Sequence, residues 1–261
     1  MTLSIASLPN LRDLGGHRTV DGRIVRTGLV YRSDQPNPVT PDDLDRLAAL
    51  GLKTVFDLRT DEEAADRPDQ LPEGVDLVRL DVFRDIDRSR PVVLGELLRR
   101  PAEANAVLGG GKVDALLERA YRDFIRLPSA ARSYRELFSA LADPDRLPAL
   151  FHCLTGKDRT GWAAAALLAL LGVPRDAILA DYLLSNGCAL PRYRTAIDAF
   201  VAAGGEATIT EAVFGVKPRF LEAAFDEAEK TYGSLEGYFQ EGLGIGPERQ
   251  AQIREYLTAR S

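Results

Sequence analysis

The feature that most restricts this chain is a strand-length apolar run, a ten-residue mixed loop and a helix-length apolar run in succession. Pro148–Phe151 is the first, His152–Gly161 the loop, and Trp162–Val173 the second, closed by Pro174. The second run is long enough for a buried core helix and too short for a membrane span. A short loop between a strand and a helix aims several backbone N–H groups at one point and adds the positive end of the helix dipole. Such a nest suits an anion. A strand buried on both faces also demands helices to cover it, so the frame has to be α/β.

The remaining pattern agrees. Gly15, Gly16, Gly22 and Gly28 punctuate short strands around Ile24–Val25 and Leu29–Tyr31. Thr40 is positioned to cap a helix from Pro41 to Leu50 that Gly51 stops. Lys53–Leu58 and Val75–Leu80 are further strand-length runs. Residues 84–112 break the rhythm with arginines at 84, 88, 90, 99 and 100, with Asp85 and Asp87, and with Gly109–Gly110–Gly111. A mobile excursion with short helices is expected there. Helical spacing returns at Val113–Leu127 and Tyr134–Leu141, then at 160–172, 175–185, 190–203, 218–231 and 247–259. Without internal repeats, the expectation is one domain over residues 1–261. Its centre is a mostly parallel sheet of four or five strands flanked by helices, and its C-terminal half is helical.

Composition narrows the chemistry. An apolar fraction of 45% provides a core without staples. The 33 basic and 39 acidic residues leave a net charge of −6, which argues against a general nucleic-acid binder but permits a local basic anion site. Two cysteines, two histidines and no CxxC pair give no zinc site and no disulfide framework. Neither metal nor cofactor is expected. Met1–Asn10 lacks a signal peptide's features, so the expected location is the cytoplasm, or export without a recognisable signal.

Within the loop, Cys153 stands at the mouth of the nest, where its thiolate is the first anion to be stabilised. Arg159, after five intervening residues, offers a planar fork matched to two phosphate oxygens. His152 can steady the loop, Thr160 can hydrogen-bond the sulfur when it leaves, and Gly156 and Gly161 permit the tight turn and close helix approach. The joint reading is a nucleophilic cysteine attacking phosphorus, with the phosphate held by Leu154, Thr155, Gly156, Lys157, Asp158 and Arg159. Lys157 either adds charge beside the phosphate, suiting a substrate with a second phosphate, or is a solvated loop lysine. Asp158 pairs with Lys157, positions water or shares in proton transfer. A nucleotide-binding Walker loop is excluded, because Phe151 occupies its first glycine position and Asp158 follows the lysine.

The spacing HC-x5-R-[ST] resembles the phosphate loop of the protein-tyrosine phosphatase superfamily, and HCLTGKDRTG is similar to that of the bacterial tyrosine/lipid phosphatases of the PtpB type. The likeness extends to Asn10–Gly16, Leu29–Ser33, Asp57–Arg59, Ala180–Asn186 and Thr231–Leu235, and so covers most of the chain. It implies a tyrosine-phosphatase-like α/β fold and a helical lid, for which 84–112 with the Gly109–Gly111 hinge is the candidate. It also implies metal-independent hydrolysis of phosphotyrosine, often with phosphoserine, phosphothreonine and phosphoinositides. The general acid's usual address is Asp81–Asp87, with Asp85 preferred and Asp81 second; such an acid is worth about 10²–10⁴ in rate. Arg59 reads as structural, and Cys188 as an alternative disulfide partner of Cys153. The expected partners are phosphorylated proteins or phosphoinositides, with the oligomeric state open. Two rival readings are a phosphotyrosine-binding adaptor without turnover and a lipid or metabolite phosphatase with no protein substrate.

Overall fold

The computed structural model describes residues 5–86 and 94–260, with the backbone alone at Leu94 and Gly95. Strands β1 (Arg12–Asp13), β3 (Val30–Ser33), β4 (Thr54–Asp57), β5 (Asp76–Arg79) and β6 (Ala149–His152) form a sheet of order β1-β3-β6-β4-β5. All neighbours are parallel except β1, which runs antiparallel along β3. Strands β2 (Arg23–Val25) and β7 (Thr258–Arg260) pair separately, tying the two ends of the chain together.

Alternation along the strands divides the core. Tyr31, Leu150 and Val55 lie in one cross-strand row and pack with Ile5, Leu8, Leu11 and Leu47, the last from helix α1 (Pro41–Ala48). Phe151 and Phe56 face the other way into the larger core. That side is filled by α5 (Lys112–Arg126), α6 (Pro128–Ala140), α7 (Arg159–Leu170) and α11 (Pro218–Tyr232). Trp162 on α7 is fully buried, edge-on to Phe225 and Tyr238. Helix α7 is apolar on every side because it is enclosed on every side.

Several expectations change in detail. Helix α2 (Asp61–Asp66) was not anticipated, although Thr60 and Glu63 form a reciprocal capping box at its start. Helix α8 (Arg175–Arg192) runs past residue 185, and Asn186 on it bonds both the N–H and the carbonyl of Val216. Between α3 (Leu94–Leu97), α4 (Pro101–Leu108) and α5, the glycine triplet makes the α4–α5 corner, with Gly110 and Gly111 at φ +61° and +85°. That corner is tied by Asn105 to Gly204 and by the Gly110 N–H to Glu206. Beyond α9 (Arg194–Ala202) lies α10 (Ala207–Phe214), also unanticipated, and the chain ends through α12 (Leu235–Gly237), a π-helical turn at Tyr238–Gly242 and α13 (Pro247–Leu257). Among the described residues no helix is long and apolar enough to cross a membrane. Arg88, Arg90 and Asp87 lie outside the described residues.

Candidate active site

Ser33, His152, Asp57 and Arg79 lie in register at the C-terminal edge of the sheet, where ligands of parallel sheets bind. Cys153 is the first residue past β6, and the chain runs five residues further before α7 begins at Arg159. What turns the loop's amides inward is visible in its carbonyls, because three consecutive ones are held from outside. Leu154 O accepts the Gln35 N–H, Thr155 O accepts Asn10 Nδ2 at 2.9 Å, and Gly156 O accepts Arg32 Nη2 at 2.8 Å. A peptide plane whose oxygen is fixed outward presents its N–H on the opposite side.

The holders are themselves held. Arg32 is fully buried, and its Nη1 donates to Asp181 Oδ2 at 2.7 Å. Arg12 Nε takes the other Asp181 oxygen at 2.7 Å, and Arg12 Nη1 donates to Asn10 Oδ1. Burial lowers the Arg32 pKa to about 10, helped by the neighbouring Arg12 charge, while Asp181 opposes the shift. The two guanidinium groups hold the Asp181 carboxyl below its usual range against burial. The boxes around residues 10–16, 29–33 and 180–186 thus meet behind one loop.

Gly156 has φ +68°, and a Cβ there would stand 2.3 Å from Ser33 O. No residue with a side chain fits.

Arg159 has little exposure and forks onto Glu63, Nη1 to Oε2 at 2.6 Å and Nη2 to Oε1 at 3.0 Å, with Nη1 also reaching Leu58 O. A guanidinium has five N–H donors. These three bonds leave the Nε–H and one Nη2–H, adjacent on one edge, for two oxygens of an anion. Burial alone would lower the Arg159 pKa, but the Cys153 thiolate and Glu63 raise it, so the charge is permanent. Glu63 is correspondingly held low by Arg159, although burial pushes it up. The Phe83 ring lies 5.2 Å from the Arg159 guanidinium carbon. Glu63 was missed by sequence reasoning; the Thr60-x-x-Glu63 capping box was the available signal.

The other expected residues fall as follows. Cys153 is a free thiol with 1% exposure, and Leu154 beside it is exposed. His152 bonds the Cys153 carbonyl through Nδ1 at 3.1 Å. The Thr160 hydroxyl is buried without a partner, so the anticipated bond to the sulfur is not made in this arrangement. Lys157 is not a solvated lysine: it is buried, with its ammonium on Asp158 and on Gly215 O at 3.0 Å. Asp158 also accepts from Tyr121 Oη at 2.9 Å, and Tyr182 Oη lies 2.6 Å from Tyr121 Oη. Asp85 pairs with Arg132 at 3.0 Å on the turn that carries Phe83. Asp81 instead accepts the N–H groups of Phe83 and Asp61, holding that turn against α2. Cys188 is also a free thiol and donates to Pro9 O, so no Cys153–Cys188 disulfide exists. Arg59 is wholly buried, bidentate on Asp57 and bonded to Asp69 at 2.6 Å, the structural role expected of it.

One group among the described residues could ligate a metal: Asp57, Asp69 and His152 bring ligand atoms within 4.8 Å of one another. Its carboxylates already neutralise Arg59, which makes a second cation costly there.

A loop of outward-tied carbonyls, a cysteine at its mouth and an arginine with an open donor edge define an anion-handling site on a parallel α/β sheet. The family model of the tyrosine phosphatase family matches residues 3–259, and the chain belongs to that family of phosphatases. The triple specificity protein phosphatase PtpB of Mycobacterium tuberculosis is 30% identical, over 98% of this chain and 99% of that protein. A relative from Cupriavidus necator, placed by its name among the tyrosine-protein phosphatases, is 33% identical over 98% of this chain and 88% of its own length. A tyrosine-protein phosphatase of Nostoc commune is 34% identical over 56% of this chain and 45% of its own length.

Proposed function

We propose that the chain, acting as one phosphatase domain, hydrolyses phosphate monoesters, phosphotyrosine foremost, through a cysteinyl-phosphate intermediate. The observation that carries this reading is the loop with its three carbonyls held outward, closed by an Arg159 whose Nε and Nη2 edge is open. Phosphate oxygens take the inward N–H groups and that edge, which stabilise the charge gathering on the equatorial oxygens in the transition state. The Cys153 sulfur attacks phosphorus in line, the S–P bond forms and the P–O bond to the leaving group breaks. Asp85 protonates the departing oxygen: the turn that bears it also brings Phe83 against Arg159, and its pairing with Arg132 is released for the transfer. Asp158, fixed by Tyr121 and Lys157, orients the water that hydrolyses the intermediate. Lys157 gives less support to a second substrate phosphate than its sequence position suggested, because its ammonium is already committed to Asp158 and Gly215 O.

The test is phosphate release from an aryl phosphate across pH 4.5–8 with chelator, for wild type and the variants Cys153→Ser, Asp85→Asn and Asp158→Asn. Cys153→Ser is expected to abolish turnover while still binding phosphate, and Asp85→Asn to lower the rate about 10²–10⁴-fold and remove the falling basic limb. Near-normal turnover by Cys153→Ser would refute the mechanism. Parallel assays on a phosphotyrosine peptide and a short-chain phosphoinositide separate the substrate readings, and turnover of neither would favour an adaptor.

A further inference from the structure

Behind Asp158 two tyrosine hydroxyls are buried end to end. Tyr121 on α5 and Tyr182 on α8 are each 1% exposed, and their hydroxyl oxygens lie 2.6 Å apart. The Tyr121 oxygen is also 2.9 Å from Asp158 Oδ1. Among the described residues, Tyr121 is the one hydrogen-bond partner of the Tyr182 hydroxyl. Burial, with the nearby Asp158 charge, pushes both phenols well above their ordinary value, so each keeps its single proton. A carboxylate only accepts, so Tyr121 gives its proton to Asp158, and Tyr182 donates to the Tyr121 oxygen. The opposite order would leave the Tyr182 proton buried without an acceptor and turn a Tyr121 lone pair toward a carboxylate. Both bonds therefore have one direction.

Packing holds the rings as firmly. Tyr121 lies against Phe124 at 5.0 Å and Phe220 at 5.9 Å, and edge-on to Tyr182 at 6.3 Å. Tyr182 is pressed onto α7 at Gly161, where a Cβ would stand 3.0 Å from its ring. We propose that Tyr182 is a positioning residue for hydrolysis of the cysteinyl-phosphate, acting through Tyr121 to hold Asp158 Oδ1 and leave Oδ2 to take the water's proton. Lys157 reaches both oxygens, at 3.2 and 3.1 Å, so the ammonium does not distinguish them, whereas Tyr121 bonds Oδ1. The Asp158 side chain is 31% exposed, which gives water access to it. In the step, the water oxygen bonds phosphorus and the S–P bond breaks with its electrons returning to the Cys153 sulfur. The water's proton passes to Asp158 Oδ2 and from there to solvent. Formation of the cysteinyl-phosphate calls for no base at Asp158 and is indifferent to the tyrosines. Asp181, next to Tyr182 on α8, braces Gly156 O through Arg32. One turn of α8 thus holds the frame of the loop and, through Tyr182, its water-handling carboxylate.

The proposal rests on the reading of Asp158 as the group that orients the hydrolytic water. Its test is rapid-quench mixing with dinitrophenyl phosphate, whose phenolate leaves without an acid. Counting phenol and inorganic phosphate separately yields the rates of cysteinyl-phosphate formation and hydrolysis. Tyr121→Phe is expected to slow hydrolysis about tenfold, as for one lost hydrogen bond to a charged group, and to leave formation unchanged. Tyr182→Phe should slow hydrolysis about threefold, as for a lost neutral bond. Adding it to Tyr121→Phe should change nothing further, because Tyr182 acts only through Tyr121. Unchanged hydrolysis in Tyr182→Phe overturns the proposal even if Tyr121→Phe fails to fold. So does equal slowing of both steps, the mark of a merely structural role, or a further loss in the double variant. Asp158→Asn separates the two levels. Hydrolysis unaffected by that substitution refutes the water-orienting reading, whereas hydrolysis slowed there and normal in both tyrosine variants refutes the relay alone.

Discussion

Glu63→Gln separates two roles that one side chain combines. Glu63 Oε2 accepts the Thr60 N–H at 2.9 Å, closing the capping box of α2, and the carboxylate also forks onto Arg159. Glutamine supports a capping box as well as glutamate does, so the substitution removes the ion pair and spares the helix start. Removing one partner of a fully buried pair costs about 3–5 kcal/mol, and exposed pairs are worth about 0–1. With side-chain exposures of 9% for Arg159 and 28% for Glu63, the loss belongs between these limits, at about 2 kcal/mol. Urea unfolding followed by the single, buried Trp162 should show it at pH 7. The midpoint should fall by about 0.7–1 M, for a slope of about 2–3 kcal/mol per molar. The Glu63 carboxyl is held low in the folded state. Its contribution is therefore complete above the unfolded value near 4.5 and disappears as pH falls through the lower folded value, so wild type and variant should converge in acid. Without its anchor the Arg159 fork also loses its aim, and kcat/KM for an aryl phosphate should drop about 30-fold at the same 2 kcal/mol. A stability difference below about 0.5 kcal/mol at pH 7 together with unchanged kcat/KM would refute the argument, as would a difference that widens in acid.

The remaining predictions concern the frame of the loop. Gly156→Ala places a Cβ 2.3 Å from Ser33 O at φ +68°, for which left-handed strain and overpacking together cost about 2–5 kcal/mol; the melting temperature should fall and turnover be largely lost, and wild-type values for both would refute the close approach. Asp181→Asn leaves Arg12 and Arg32 without their shared counter-ion and should cost about 3–5 kcal/mol at neutral pH. The Asp181 carboxyl is depressed in the folded state, so its contribution is present above the unfolded value near 3.8 and lost as pH falls through the folded one; the gap from wild type, measured by unfolding at several pH values, should therefore close in acid.

Several elements were legible from local chemistry. Thr40 before Pro41 announced α1, and its hydroxyl does accept the Asp43 N–H. The apolar runs at Pro148–Phe151 and Trp162–Val173 announced the central strand and its covering helix, and the loop between them could be read as an anion nest from placement alone. Helix α2 was missed because six residues, Asp61–Asp66, carry no apolar periodicity, and only Ala64 among them is buried. With α2 went Glu63, the partner of Arg159. Helix α10 and residues 186–189 of α8, between the expected helices 175–185 and 190–203, were not anticipated; Asn186 there is held by both backbone groups of Val216, a contact 30 residues away along the chain.

By itself the sequence determined the loop, the identity of its cysteine and arginine, the glycine at 156 and the α/β frame, because each follows from residue type and spacing over a few neighbours. Only the tertiary structure decided what holds the loop open. Asn10 and Arg32 lie 145 and 124 residues from their partners Thr155 and Gly156, and Asp181 lies 169 and 149 residues from its partners Arg12 and Arg32. The pairing of the buried Arg32 and Asp181 with the half-buried Arg12 has no local signature in the chain. Their partners are chosen by the cost of leaving a charge or an amide unmet in the interior, and that cost exists only once the sheet and α8 have come together.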